Sequence, residues 1–183
     1  MKKARQIIDQ HLQTVNAISD EILVILENVA DLIKRAHQLG NKVILFGNGG
    51  SAADAQHIAA EFVVKFQKER KSLPAIALTT DTSILTAIGN NLGFEYIFSR
   101  QLESIAKNGD VVIGISTSGE SQNILYGIRT ANGLGCKTVG FSGGGENSLS
   151  KAVDINLLVP STVTARIQEV HILYGHILCD LVE

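Results

Sequence analysis

Cysteine is scarce in this sequence. Cys136 and Cys179 are the only two, they stand far apart, and neither sits in a C-x-x-C spacing. That argues against a disulfide framework and fits two buried free thiols in a reducing cytoplasm. Long hydrophobic runs are missing too. No stretch reaches the roughly 18 apolar residues of a membrane-spanning helix, and Met1-Lys-Lys-Ala-Arg5 leads into polar sequence instead of a signal-peptide core. Charge of one sign is not in excess: 16 Lys and Arg against 18 Asp and Glu leave a formal net charge of −2, which is no footprint for nucleic acid. Repeats and low-complexity tracts are also lacking. What remains is a chain of 183 residues, 45% hydrophobic and 19% charged, long enough for one α/β domain and short for two. The expectation is a cytoplasmic protein with no membrane and no nucleic-acid partner.

Periodicity supplies the architecture. Residues from about Ala4 to Gln38 read as helix, with Ile7, Ile8, Leu12, Val15 and Ile18 on one apolar stripe and Ile22 to Ile33 on a second. Asn16 to Asp20 is the expected bend. Two such helices ahead of the first strand leave apolar surface that a partner subunit would cover. Strands are expected at 42–46, 74–78, 111–115, 137–141 and 155–159, the last stopped by Pro160. Helices alternate with them: one from about Ser51, one from Thr79–Ser83, one ending near Lys107, one over 121–132 and a final one from about Thr164. Gly89-Asn-Asn-Leu-Gly-Phe94 reads as a turn, and Lys65 to Ser72 as a charged surface connection, solvated more readily than kept for an anionic partner. The pattern implies a single domain over 1–183: an N-terminal helical region, 1–38, and a core, 42–183. That core is a three-layer α-β-α sandwich on a five-stranded parallel sheet. Ligands bind such sheets at the carboxyl ends of the strands, where all three Gly/Ser loops of this chain fall.

The first loop, Gly47-Asn-Gly-Gly-Ser51, bares backbone N–H groups to a ligand. Ser51 with Asp54 reads as a helix cap and its capping-box partner. Four residues apart on that helix, His57 and Glu61 share a face. The loop also fits G-x-G-x-x-A, but no acidic residue closes strand two and no substrate domain follows, so a dehydrogenase is disfavoured. Ser116-Thr-Ser-Gly-Glu-Ser121 offers four hydroxyls at a strand-to-helix turn. That suits a phosphate monoester, since no Walker lysine follows. On the last helix Gln168 and His176 lie about two turns apart, and His171 reads as a satisfied core histidine. With His57 and Glu61 they offer N and O donors for zinc or another divalent ion. The two-turn separation strains one compact site, so either the donors lean together or different subunits supply them.

Taken in order, Gly47 to Ser51, His57 with Glu61, Ile115 to Gly119 with Ser121, and Arg166 to Glu169 through His176 resemble the sugar-isomerase (SIS) domains. Within these they resemble the bacterial phosphoheptose isomerase family. The resemblance implies a flavodoxin-like parallel sheet and a homotetramer with sites at subunit boundaries. It implies that Ser116, Thr117, Ser118 and Ser121 hold a phosphate, and that Asn48, Gly49, Gly50, Ser51, Asn90 and Asn91 line the sugar site together with Glu61 and Gln168. It implies Glu61 and His176 as the acid/base pair, and His57, Glu61, Gln168 and His176 as ligands of one zinc per subunit. The implied reaction turns sedoheptulose 7-phosphate into glycero-manno-heptose 7-phosphate, the first step of nucleotide-heptose synthesis for surface glycans such as lipopolysaccharide. Two departures stand out: Asn91 and Lys65 occupy places where the family commonly has Asp and Arg. The rivals are an isomerase of another sugar phosphate and a non-catalytic binding module such as a replication-initiator-associating protein.

Overall fold

A computed structural model describes residues 1–183. Helices α1 (Lys2–Asn16) and α2 (Asp20–Gln38) precede a core of strands β1 (Val43–Gly47), β2 (Ala75–Ala77), β3 (Val111–Ile115), β4 (Lys137–Gly143) and β5 (Ile155–Val159). Between and after the strands run α3 (Gly50–Val63), α4 (Thr82–Asn91), α5 (Ser99–Ile105), α6 (Gln122–Gly133), α7 (Ser148–Ala152) and α8 (Thr164–Val182). All strand pairs are parallel, in the order β2-β1-β3-β4-β5. No helix is long and apolar enough to cross a membrane.

β1 and β3 are buried along their whole length, as apolar central strands covered on both faces must be. Alternate side chains feed two cores. Val43, Leu45, Val111 and Ile113 join residues of α2, α3 and α8, while Ile44, Phe46 and Val112 join α5 and α6. In this strand order the direction of winding reverses between β1 and β3, and the crevice outside their carboxyl ends is the expected ligand position.

Some boundaries move. α4 is capped by Asp81, whose carboxylate accepts the Ile84 N–H at 2.9 Å, and it runs on to Asn91. The expected turn at Gly89 is therefore helix, and the break comes at Gly93, whose φ of +116° only glycine takes readily. The short α7 escapes the sequence pattern because it has one turn and one buried apolar residue, Leu149. Its signal is Asn147 and Ser150, which cap each other's backbone N–H groups. On α1 and α2, Ile7, Ile8, Leu12, Leu23 and Val24 remain exposed.

Candidate active site

The helix after the first loop starts differently from the expected capping box. Gly49, at φ +53°, is the cap residue of α3, and no side chain caps it. Ser51 is buried, its N–H donating to the Asn48 carbonyl at 3.0 Å. Gly50 leaves room for the Gln168 amide of α8, which lies where a Cβ would stand. Asp54 turns inward as well. Burial raises its carboxyl to about 6, against the opposing pull of the Gln168 amide and His57. Its Oδ2 has no hydrogen-bond partner. Asp54 was legible only as a cap partner, although it lies three residues before His57 on the same face.

One helical turn further, three of the expected acid/base and metal-ligand residues meet. His57 Nε2 and His176 Nε2 are 2.9 Å apart, and Glu61 Oε1 lies 3.6 Å from His57 Nε2. Gly50 faces Gln168, Ile58 faces Gly175, and His57 faces His176, so α3 and α8 run side by side in one direction. Gln168 therefore sits beside the start of α3, and His176 beside His57, seven positions further along it. His57, Glu61 and His176 thus meet within one chain, whereas Gln168 lies about two turns back along the seam, against Gly50. Two facing ring nitrogens share a single proton, or both turn a lone pair to one cation. Around one zinc at 2.0–2.1 Å, two tetrahedral nitrogens would stand about 3.4 Å apart, so the rings would need only a small separation. The nitrogen and oxygen donor set suits zinc. As the side chains stand, no group of three or more His, Cys, Asp or Glu gathers closely enough to hold an ion.

Across the crevice, the hydroxyl loop is built on a buried residue. Ser116 Oγ accepts the Gly119 N–H at 3.1 Å and lies 3.3 Å from Ser121 Oγ. Thr117 and exposed Ser118 open onto a cavity of about 370 Å³ completed by Gly143 to Asn147, Thr162 and Thr164. Glu120 fixes the rim by accepting from the Ser148 N–H at 2.9 Å and hydroxyl at 2.6 Å. Ser121 borders a second cavity of about 340 Å³ with Asn48, Phe94 and Asn123. Asn48 and Asn123 exchange two amide hydrogen bonds of 2.8 Å, tying the β1 loop to the start of α6. Asn123 was invisible in the sequence. If the loop anchors phosphate, Ser118→Ala should raise KM about five- to tenfold and leave kcat within twofold, because an anchoring bond serves ground and transition states alike. An unchanged KM would put the phosphate elsewhere.

Two residues expected to line the sugar site lie apart from both cavities. Asn90 and Asn91 sit on the exposed end of α4, bonded to each other at 2.8 Å, and border neither of these cavities. The continued helix carries them there. His171 is buried as expected but not satisfied: both ring nitrogens lack partners, and burial lowers its pKa to about 4. Lys65 pairs with Glu69, four residues on, and is exposed.

A family model described as the SIS domain matches residues 6–143. The phosphoheptose isomerase of Aquifex aeolicus is 51% identical over all of this chain and 96% of its own length. The chain belongs to the SIS-domain family. Solved structures of phosphoheptose isomerases agree with this. The one from Neisseria gonorrhoeae is 36% identical, has a TM-score of 0.94, and the match covers 99% of this chain and 97% of that one. The Francisella tularensis enzyme, also 36% identical, gives a TM-score of 0.92 over 99% and 96% of the two chains. These matches take in the N-terminal helices and α8, so the fold is shared along essentially the whole chain.

Proposed function

We propose that this chain is an aldose–ketose isomerase that converts sedoheptulose 7-phosphate to D-glycero-D-manno-heptose 7-phosphate. The observation that carries the reading is the meeting of His57, Glu61 and His176 in one chain, in a molecule whose hydroxyl-rich loop lies at the carboxyl end of a central strand. The relatives' names supply the substrate class.

The Ser116–Ser121 loop holds the phosphate through hydroxyls and the N-terminal N–H groups of α6. Asn48, Gly49, Gly50 and Ser51 border the sugar chain. Glu61 takes a proton from C1, and His176 gives one to the C2 oxygen, leaving an enediol. Return of a proton to C2, with loss of the one on the C1 hydroxyl, completes the aldose. His57, Glu61, Gln168 and His176 are the residues that would hold a zinc ion, and zinc when bound supplies polarisation of the substrate carbonyl. The exposed apolar residues of α1 and α2 suit a homotetramer. The setting is the cytoplasm, and the product feeds nucleotide-heptose synthesis for surface glycans.

The test is turnover of a panel of phosphorylated ketoses of five, six and seven carbons. The seven-carbon ester should be turned over at least about tenfold faster than the others, given that one missing methylene-sized contact costs 1–3 kcal/mol. Preference for a shorter sugar would overturn the substrate assignment. Binding of these esters without turnover would indicate a recognition module.

A further inference from the structure

The connection from α3 to β2 is charged in sequence, yet one side chain pins it. Glu183, which follows α8, has a carboxylate with no exposed surface. Its Oε1 accepts the Phe66 N–H at 2.6 Å and the Arg70 Nε–H at 3.1 Å, and its Oε2 accepts the N–H groups of Gln67 and Lys68 at 2.8 Å each. Burial works against this charge, but the Lys68, Phe66 and Gln67 N–H groups and the Arg70 guanidinium bring the carboxyl down to about 2. It is ionised throughout the working range.

The clamp reaches the candidate site by two routes. Arg70, held by Glu183, donates from Nη2 to the Glu61 carbonyl and from Nη1 to the Phe62 carbonyl, both at 2.9 Å. These are two of the orphan carbonyls that end α3. Phe66, whose N–H is fixed by the same carboxylate, stacks its ring on the His176 imidazole, with centroids 5.4 Å apart and planes 30° from parallel. One buried carboxylate therefore sets the backbone under Glu61 and the ring against His176.

We infer that Glu183 is a positioning residue for the proton-carrying pair, seating Phe66 on His176 and aiming Arg70 at the Glu61 carbonyl. This rests on the reading of Glu61 and His176 as the reacting groups. Glu183→Gln keeps the size of the side chain but turns an NH₂ group towards donors. In the full-length protein it should lower kcat about ten- to a hundredfold, the scale set by a misplacement of about 1 Å. KM for the phosphosugar should stay within twofold, because the hydroxyl loop belongs to β3 and α6. In histidine-labelled protein the His176 ring resonance, assigned by its loss in His176→Gln, should move as the stacked ring loosens. Phe66→Leu removes the ring and leaves the clamp, so it should move the same resonance and lower kcat, and it serves if Glu183→Gln does not fold. Parental kcat in either folded variant, or an unmoved His176 resonance, would overturn the inference. Failure of the underlying reading looks different: Glu61→Gln would then keep its turnover, while the resonance would still report the clamp.

Discussion

Glu61→Gln should lower kcat by about 10² to 10⁴, the usual contribution of a positioned general base, with KM close to the parent's. Glutamine preserves the volume of the side chain and leaves the Glu61 carbonyl free to accept from Arg70 as before. The substitution therefore removes the carboxylate while α3 keeps its end. The sharper readout is isotopic. In deuterated water the parent enzyme should place solvent deuterium at the carbon that exchanges its proton, and the variant should not. Ordinary exchange in a folded Glu61→Gln protein would sink the assignment, whatever happened to kcat, because another group would then be moving the proton. If kcat fell and exchange persisted, Glu61 would belong to a later step.

Much of this arrangement could be read from the residues, for reasons local in sequence. The buried strands announce themselves as unbroken apolar runs, and glycines at their carboxyl ends place the loops. His57 and Glu61 share a face because a helix repeats every 3.6 residues. What could not be read is long-range. Nothing local says that α8 lies parallel to α3, which is what brings His176 to His57 and Glu61 and leaves Gln168, two turns earlier, against Gly50. Asp54 was misread because a polar residue three places after a serine is the ordinary sign of a cap, and only burial against α8 distinguishes the two cases. The glycine- and asparagine-rich run from Gly89 to Phe94 reads as a turn, but the helix around it carries on through Asn91. Arg70, Phe66 and Glu183 carried no signal at all. Each has a partner more than a hundred residues away in the sequence.

Gly175→Ala should separate the two helices on which the proposed chemistry depends. A Cβ at position 175 would stand 2.5 Å from Ile58 Cδ1 and 2.7 Å from its Cγ1, and Ile58 is only 1% exposed. A buried isoleucine has no free space into which to swing, so relief comes from an off-rotamer side chain or from a shift of α8 away from α3. Overpacking of this kind costs about 1–3 kcal/mol of stability. The neighbours of the clash are the residues that matter: His57 precedes Ile58 and His176 follows Gly175, and their ring nitrogens stand 2.9 Å apart. A displacement of about 1 Å there should lower kcat on the order of a hundredfold. Ser118 and its loop follow β3, away from the clash, so KM should change far less. The decisive measurement is the double mutant. Ile58→Ala alone should destabilise by about 2–5 kcal/mol through the cavity it leaves. Combined with Gly175→Ala it should cost less than the two single losses added together, by about 0.5–3 kcal/mol, as expected of residues in contact. Part of the lost kcat should return with it. Strict additivity in stability, with no recovery of kcat, would mean that the close approach of α3 and α8 at Gly175 is not what holds the two histidines together.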